Sequence, residues 1–245
     1  MEAEVEIHEE AEVEIHEEAE VEIHEEAKEM GSQKPKQTVE ARVTRPPHNY
    51  VAIVKDSDVP TETSSLHKLC HQLYDGVVLK QGKRKYWVDR HLNKNCFMLF
   101  ARELAITWGD DNRYWGWRTV KESGNVDVEV AELRSVCWLE ISGKFRTIML
   151  SPKTLYEVSL VAFMTESSRG WRLPVNINLT LPDKSKLEHA ESLQEMPRGK
   201  WRNIWMGKFT TSSENIGEIT FCISEYSGNW KQGLLVKGVA FQPKN

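Results

Sequence analysis

From residue 77 to the C-terminus the chain breaks into short stretches rich in Val, Ile, Trp, Tyr and Thr, divided at roughly eight to fifteen residue intervals by Gly, Pro, Asn and Asp. That texture predicts strands over 77–79, 86–88, 96–100, 105–108, 114–119, 136–142, 156–164, 175–181, 201–209, 218–225 and 234–242. Several alternate strictly. In Val175-Asn-Ile-Asn-Leu-Thr-Leu181 every second residue is apolar, so one face is buried and the other wetted. Two antiparallel sheets of this kind packed face to face form a jelly-roll-like β-sandwich, and the expected fold class is all-β. One stretch departs from the pattern. Residues 63–74 place Leu66, Leu69, Cys70 and Leu73 on one side of a helical turn and end at Asp75-Gly76, which predicts one short amphipathic helix before the sandwich.

Residues 3–26 are three identical copies of Ala-Glu-Val-Glu-Ile-His-Glu-Glu. A period of eight sustains no apolar stripe on a helix and breaks phase as a strand, so residues 1–30 are expected to be a disordered acidic tail. Residues 31–48, with their Pro and Lys, are expected to be a linker, and residues 49–245 the folded domain, with its sandwich over 77–245. The tail holds 14 of the 37 acidic residues and one of the 32 basic ones, so the formal charge of −5 conceals a basic domain. Such a domain suits an anionic partner, although most basic domains are merely soluble. His8, His16 and His24 are too widely spaced to share one turn. His67 and His71 are one turn apart but have no third ligand nearby, so neither a metal nor a cofactor is expected.

Cys70, Cys96, Cys137 and Cys222 lack metal-ligand spacing, and the last three lie in apolar runs that read as buried strands. The start of the chain is Glu-rich and has neither the basic nor the apolar region of a signal peptide, and no run is apolar enough to span a membrane. The expectation is cytosolic synthesis with reduced thiols and no membrane insertion.

Nine tryptophans are more than a sandwich core of this size uses. Trp138, inside Val-Cys-Trp-Leu, and Trp201 and Trp205, four apart in one stretch, are assigned to the core. Residues 105–117 differ. They read as a β-hairpin whose polar turn, Gly109-Asp110-Asp111-Asn112, is flanked by Trp108 on one side and by Tyr114, Trp115 and Trp117 on the other. Sugar recognition needs such a set, because the C–H face of a pyranose stacks on an indole while its hydroxyls need fixed donors and acceptors. Trp115 and Trp117 share parity and should project from one sheet face. The plainer alternative is cross-strand packing beside a turn.

Lys85-Tyr-Trp-Val-Asp89, the run Asn95-Cys-Phe-Met-Leu-Phe-Ala-Arg-Glu-Leu-Ala-Ile-Thr-Trp108, Tyr114-Trp-Gly-Trp117, Glu129-Val-Ala-Glu-Leu133, Val136-Cys-Trp-Leu-Glu-Ile-Ser-Gly-Lys144, Gly217-Glu-Ile-Thr-Phe221 and Trp230-Lys-Gln-Gly-Leu-Leu-Val-Lys-Gly-Val239 occur in that order. Over about residues 48–245 the chain resembles the phloem protein 2 family, whose lectin domain is shared with the Nictaba-type lectins. The resemblance implies a non-enzymatic lectin that binds N-acetylglucosamine oligomers and N-glycan cores on glycoproteins, in the cytoplasm or in phloem sap. It also implies that Trp108 and Trp115 serve sugar binding. Asp110, Asp111, Asn112, Tyr114 and Trp117 are added from the chemistry of the turn. The tetralysine nuclear-import run of the Nictaba type is missing, with only Lys184-Ser-Lys186 in its place. The 63–74 helix is too short for the F-box that some family members carry.

Two rival readings stand beside this one. A basic domain with exposed aromatics can bind RNA, and a cysteine-bearing phloem protein can cross-link with other phloem proteins. An enzyme is disfavoured, with no catalytic residues expected, because Asp110 and Asp111 are neighbours in one turn rather than carboxylates facing across a cleft. A homodimer would suit weak single sites through multivalent display.

Overall fold

The computed structural model describes residues 45–62, 64–122 and 126–245, so the acidic octads and nearly all of the linker lie outside the described residues. Among the described residues, α1 (Tyr50–Ile53) and α2 (Leu66–Asp75) precede thirteen strands. These are β1 (Val77–Leu79), β2 (Arg84–Asp89), β3 (Lys94–Phe100), β4 (Ala105–Ile106), β5 (Trp115–Glu122), β6 (Val126–Leu133), β7 (Leu139–Arg146), β8 (Leu155–Arg169), β9 (Val175–Thr180), β10 (Lys186–Glu191), β11 (Trp201–Thr210), β12 (Glu218–Glu225) and β13 (Gln232–Lys244). The fold is an antiparallel β-sandwich. One sheet has five strands in the order β10-β9-β12-β7-β4, and the other has eight.

β13 organises the larger sheet. Along one edge it pairs with β8, which in turn pairs with β11, and along the other it changes neighbour midway. Leu235 and Val236 pair with β6, whereas Gly238 to Phe241 pair with β3, so β6-β5 and β3-β2-β1 branch from one strand. A register shift between Val236 and Gly238 accompanies the change. A Cβ on Gly238 would fall 2.0 Å from the Leu99 carbonyl oxygen, so only glycine permits this approach.

The sheets meet through aromatic rings. Phe97 of β3 and Phe241 of β13 stand 4.9 Å and 4.5 Å from Phe145 of β7, Tyr86 stacks on Phe97 at 5.1 Å, and Phe221 of β12 lies 6.4 Å from Phe241. Around this column pack the inward residues of the alternating strands, including Leu139 and Ile141 of β7, Ile219 and Ile223 of β12, and Ile177 and Leu179 of β9. Helix α2 is capped by the Ser65 hydroxyl, which accepts from the Lys68 N–H at 3.2 Å, and ends at Gly76 with φ +94°. It buries Leu69, Cys70 and Leu73, while Leu66 in its first turn is exposed.

Every expected strand has a counterpart, but β6 and β10 were not expected. Their outward positions carry acidic and basic side chains that are held by cross-strand pairs, such as Arg118 with Glu132 and Lys121 with Asp127. The expectations for four residues are corrected. Trp138 and Trp205 are exposed rather than core, because Leu139 on β7 and Ile204 and Met206 on β11 take the inward positions. Cys137 and Cys222 are half-buried, whereas Cys96 is sealed and its thiol pushed up to about 12 by burial. All four cysteines are free.

Among the described residues, one ion pair has both side chains buried. The side chains of Lys231 and Glu225 are 1% and 6% exposed. The Lys231 ammonium donates to the Glu225 carboxylate, to the Cys137 carbonyl at 2.9 Å and to the Asn229 carbonyl at 2.8 Å. Burial alone would raise the Glu225 carboxyl, but Lys231 and the Ser227 donors outweigh it and hold it below its ordinary range. A depressed carboxyl contributes stability that is complete above its unfolded value and lost as pH falls through the folded one. Lys231→Ala should therefore cost about 3–5 kcal/mol in urea unfolding at pH 7, because it strands a buried carboxylate. The deficit should shrink as pH falls, first as the stranded carboxyl of the variant, raised by burial, takes up a proton and then as the depressed carboxyl of the native protein does. Equal stabilities at pH 7 would contradict this account of the pair.

Candidate functional site

Residues 105–117 do not form the expected hairpin. β4 pairs with β7 in the five-stranded sheet, whereas β5 pairs with β6 in the eight-stranded sheet, so this segment crosses between the two layers. The crossing separates the tryptophans by role. The Thr107 N–H still reaches the Glu140 carbonyl at 3.0 Å, and the chain then turns, with Trp108 in the left-handed region at φ +60°. The Gly109 N–H donates to the Ile106 carbonyl and the Asp111 N–H to the Trp108 carbonyl, each at 2.9 Å.

Trp115 and Trp117 project from the same face of β5, as their parity requires, but towards the crossing segment. The Trp115 indole N–H donates to the Thr107 carbonyl at 3.1 Å and that of Trp117 to the Gly109 carbonyl at 3.0 Å. Two pegs thus hold the backbone on either side of Trp108. Trp115 is 2% exposed and has no ring face open to a ligand. Trp117 is half-buried, and the Arg102 guanidinium lies 3.5 Å from its ring centre while pairing with Glu129 through two 2.8 Å bonds. Only Trp108 of the three presents an open ring, being 43% exposed and backed by Tyr114 at 5.1 Å.

The polar residues of the turn also divide. The Asp111 carboxylate accepts from the backbone N–H of Arg113 at 2.9 Å and from its guanidinium at 2.6–3.1 Å. Those hydrogen bonds hold its carboxyl below the ordinary range, so it stays an acceptor in mild acid but is already engaged. The Asp110 and Asn112 side chains are exposed and make no hydrogen bond within the described residues. The Asn112 carbonyl is fixed by Arg134 at 2.6 Å. Together Ile106, Trp108, Gly109, Asp110, Asp111 and Asn112 line a shallow depression of about 680 Å³. It offers one indole, unpaired polar side chains and a backbone that is already fixed.

Trp108, Asp110 and Asn112, expected at the site, are exposed on the crossing segment, whereas Trp115, expected beside them, is buried. Trp138, Tyr226 and Trp230 are exposed without having been expected to be. For Trp138 the signal was available, since in an alternating strand the neighbour of an inward Leu139 points outward.

Fold and loop define a β-sandwich domain presenting an exposed indole on a pinned, polar crossing segment. Residues 94–243 match the family model Phloem protein 2, and the chain belongs to that family. It is 47% identical over 210 residues to Protein PHLOEM PROTEIN 2-LIKE A1 of Arabidopsis thaliana, covering 84% of this chain and 85% of that protein. To a protein named Lectin from Luffa acutangula it is 45% identical over 199 residues, covering 80% and 94%. Among solved structures it is similar to TmCBM61 in complex with β-1,4-galactotriose, at a TM-score of 0.31 and 11% identity over 58% of this chain and 87% of that one. A Clostridium thermocellum xylanase chain complexed with xylohexaose gives 0.35 and 11% over 60% and 27%.

The division of labour among the indoles predicts unequal stability effects. Trp115→Ala should lower unfolding stability by about 3–5 kcal/mol, whereas Trp108→Ala should change it by less than about 0.5 kcal/mol. Denaturant titration of the two variants checks the ranking.

Proposed function

We propose that this chain is a non-enzymatic lectin that binds N-acetylglucosamine-containing glycans at the Trp108 loop. The observation that carries the reading is the Trp108 ring, open to solvent beside unpaired Asp110 and Asn112 on a backbone already pinned by two indole N–H groups. A pyranose stacks its C–H face on that indole, and the two side chains take up its hydroxyl or acetamido groups. Tyr114 backs the indole, and Asp111, locked to Arg113, shapes the turn. Trp115 and Trp117 contribute indirectly, by fixing where Trp108 stands. Family relatives from Luffa acutangula and Coccinia grandis that are named Lectin support the reading.

Calorimetric titration with chitotriose is the test. Trp108→Ala should lose about 1–3 kcal/mol of binding, by analogy with stacking of bases on aromatic side chains, while its circular dichroism stays unchanged. Trp115→Phe keeps a buried ring but loses the bond to the Thr107 carbonyl, and should bind less tightly at a stability cost of about 1–3 kcal/mol, smaller than that of Trp115→Ala. Binding of a neutral sugar should vary little between about 50 and 200 mM salt, over which an RNA-binding protein loses orders of magnitude in affinity. Wild-type affinity in Trp108→Ala would remove the site from this loop.

A further inference from the structure

Trp138, Tyr226 and Trp230 are 50%, 49% and 57% exposed, and all three belong to segments tied together by the buried Lys231. Its backbone bridges Val136 in both directions at 2.7 and 2.9 Å, and its ammonium reaches Cys137, Glu225 and Asn229. The 226–230 loop is further pinned where the Ser227 N–H donates to Glu225 at 2.7 Å and the Asn229 amide to the Gly170 carbonyl. Sealing a lysine and a glutamate under these residues is costly, and an apolar pair could stabilise the fold as well. What the ion pair adds is geometric, because the exposed rings above it stand on a fixed backbone.

Trp138 and Tyr226 meet edge to face at 5.0 Å, and the Tyr226 hydroxyl donates to the Glu140 carboxylate. Glu140 lies on the outer face of β7, since Leu139 and Ile141 on either side of it point into the core. Across the sheet from Glu140 the register places Ser224 of β12 and then Asn176 of β9. One step along the strands, Asn178 occupies the same outer face. Asn176, Asn178 and Ser224 help to line a second hollow of about 500 Å³. An aromatic pair thus stands at one end of a face furnished with amides, a hydroxyl and a carboxylate, a combination suited to an uncharged, hydroxyl-rich chain. The face is also contiguous with the loop described above, since Thr107 hydrogen-bonds the Glu140 backbone.

We propose that the outer face of the five-stranded sheet, from the Trp138–Tyr226 pair through Glu140 and Ser224 to Asn176 and Asn178, is a second saccharide subsite that takes the extension of a neutral oligosaccharide. The proposal rests on the glycan-binding reading and specifies the ligand further. From β7 through β12 to β9 the named residues span roughly 10 Å at about 4.8 Å per strand, longer than one pyranose ring, so the ligand is an oligosaccharide lying across the strands rather than a single sugar. Trp138 supplies the stacking surface and the Asn176 amide supplies hydrogen bonds, while Asn178, held by Glu188 and Thr180, shapes the floor.

Calorimetry with chitobiose and chitopentaose on the wild type, Trp108→Ala, Trp138→Ala and Asn176→Leu is the test, with melting temperatures as the control for folding. Wild type is expected to bind the longer sugar more tightly. Trp138→Ala should lose about ten- to hundredfold in affinity for chitopentaose and leave chitobiose unchanged. Asn176→Leu, on an exposed position, should show the same selectivity with a loss of a few-fold. If both variants bind chitopentaose like wild type, the second subsite is overturned and the Trp108 loop stands. If binding of both sugars falls in Trp138→Ala but not in Trp108→Ala, the sheet face stands and the loop assignment fails. Absence of binding to either sugar by the wild type overturns both.

Discussion

The contact between the sheets through Phe97, Phe145, Phe241 and Phe221 is the constraint from which the rest of the molecule follows. Sheets packed face to face lie about 10 Å apart, a gap that large rings fill from both sides. Phe145 touches rings from two strands of the opposite layer, and Gly143 makes room for Phe221, whose ring would stand 2.5 Å from a Cβ at that position. Once β7 and β12 are committed by these rings, alternation sends Glu140, Ser142, Cys222 and Ser224 outward. β4 can then extend the sheet only along the free edge of β7, and that places Trp108.

The tryptophans show how one residue type serves opposite ends. An indole combines a large apolar surface with a single donor, so when buried it both fills space and satisfies a carbonyl. Trp115 and Trp117 do this beneath residues 107–109, and Trp171 does so at the Gln232 carbonyl. Trp108, Trp138 and Trp230 stand on the outside of segments fixed in this way or by Lys231. A ring whose backbone is already ordered loses little further freedom when a ligand settles on it.

Charge is used locally. Arg102 joins Glu129 and covers Trp117, Arg113 locks Asp111, and Arg134 fixes the Asn112 carbonyl. These pairs are largely exposed and contribute little to global stability. Their effect is to decide which polar groups stay unpaired, leaving Asp110 and Asn112 beside the open indole. The Lys231–Glu225 pair differs because it is sealed, so removing one partner strands the other.

Much of the architecture was legible in the chain. Strict alternation, as in Val175-Asn-Ile-Asn-Leu, dictates a strand with one wet face whatever its neighbours, so the all-β class and the expected strand positions required no tertiary information. The turn residues after Trp108 were legible for the same reason, since Gly, Asp and Asn sequences punctuate strands locally. Partner choice was not legible. Whether β4 pairs with β5 across a short turn or leaves for the opposite sheet depends on which free edge lies within reach, and that edge is built from β7, over thirty residues further on. Alternation fixes which residues share a face, but only the packed layers decide which face is covered. Hence Trp115, placed by sequence beside Trp108 in an open constellation, became a buried peg, and Trp138, read as core from its apolar neighbours, became surface.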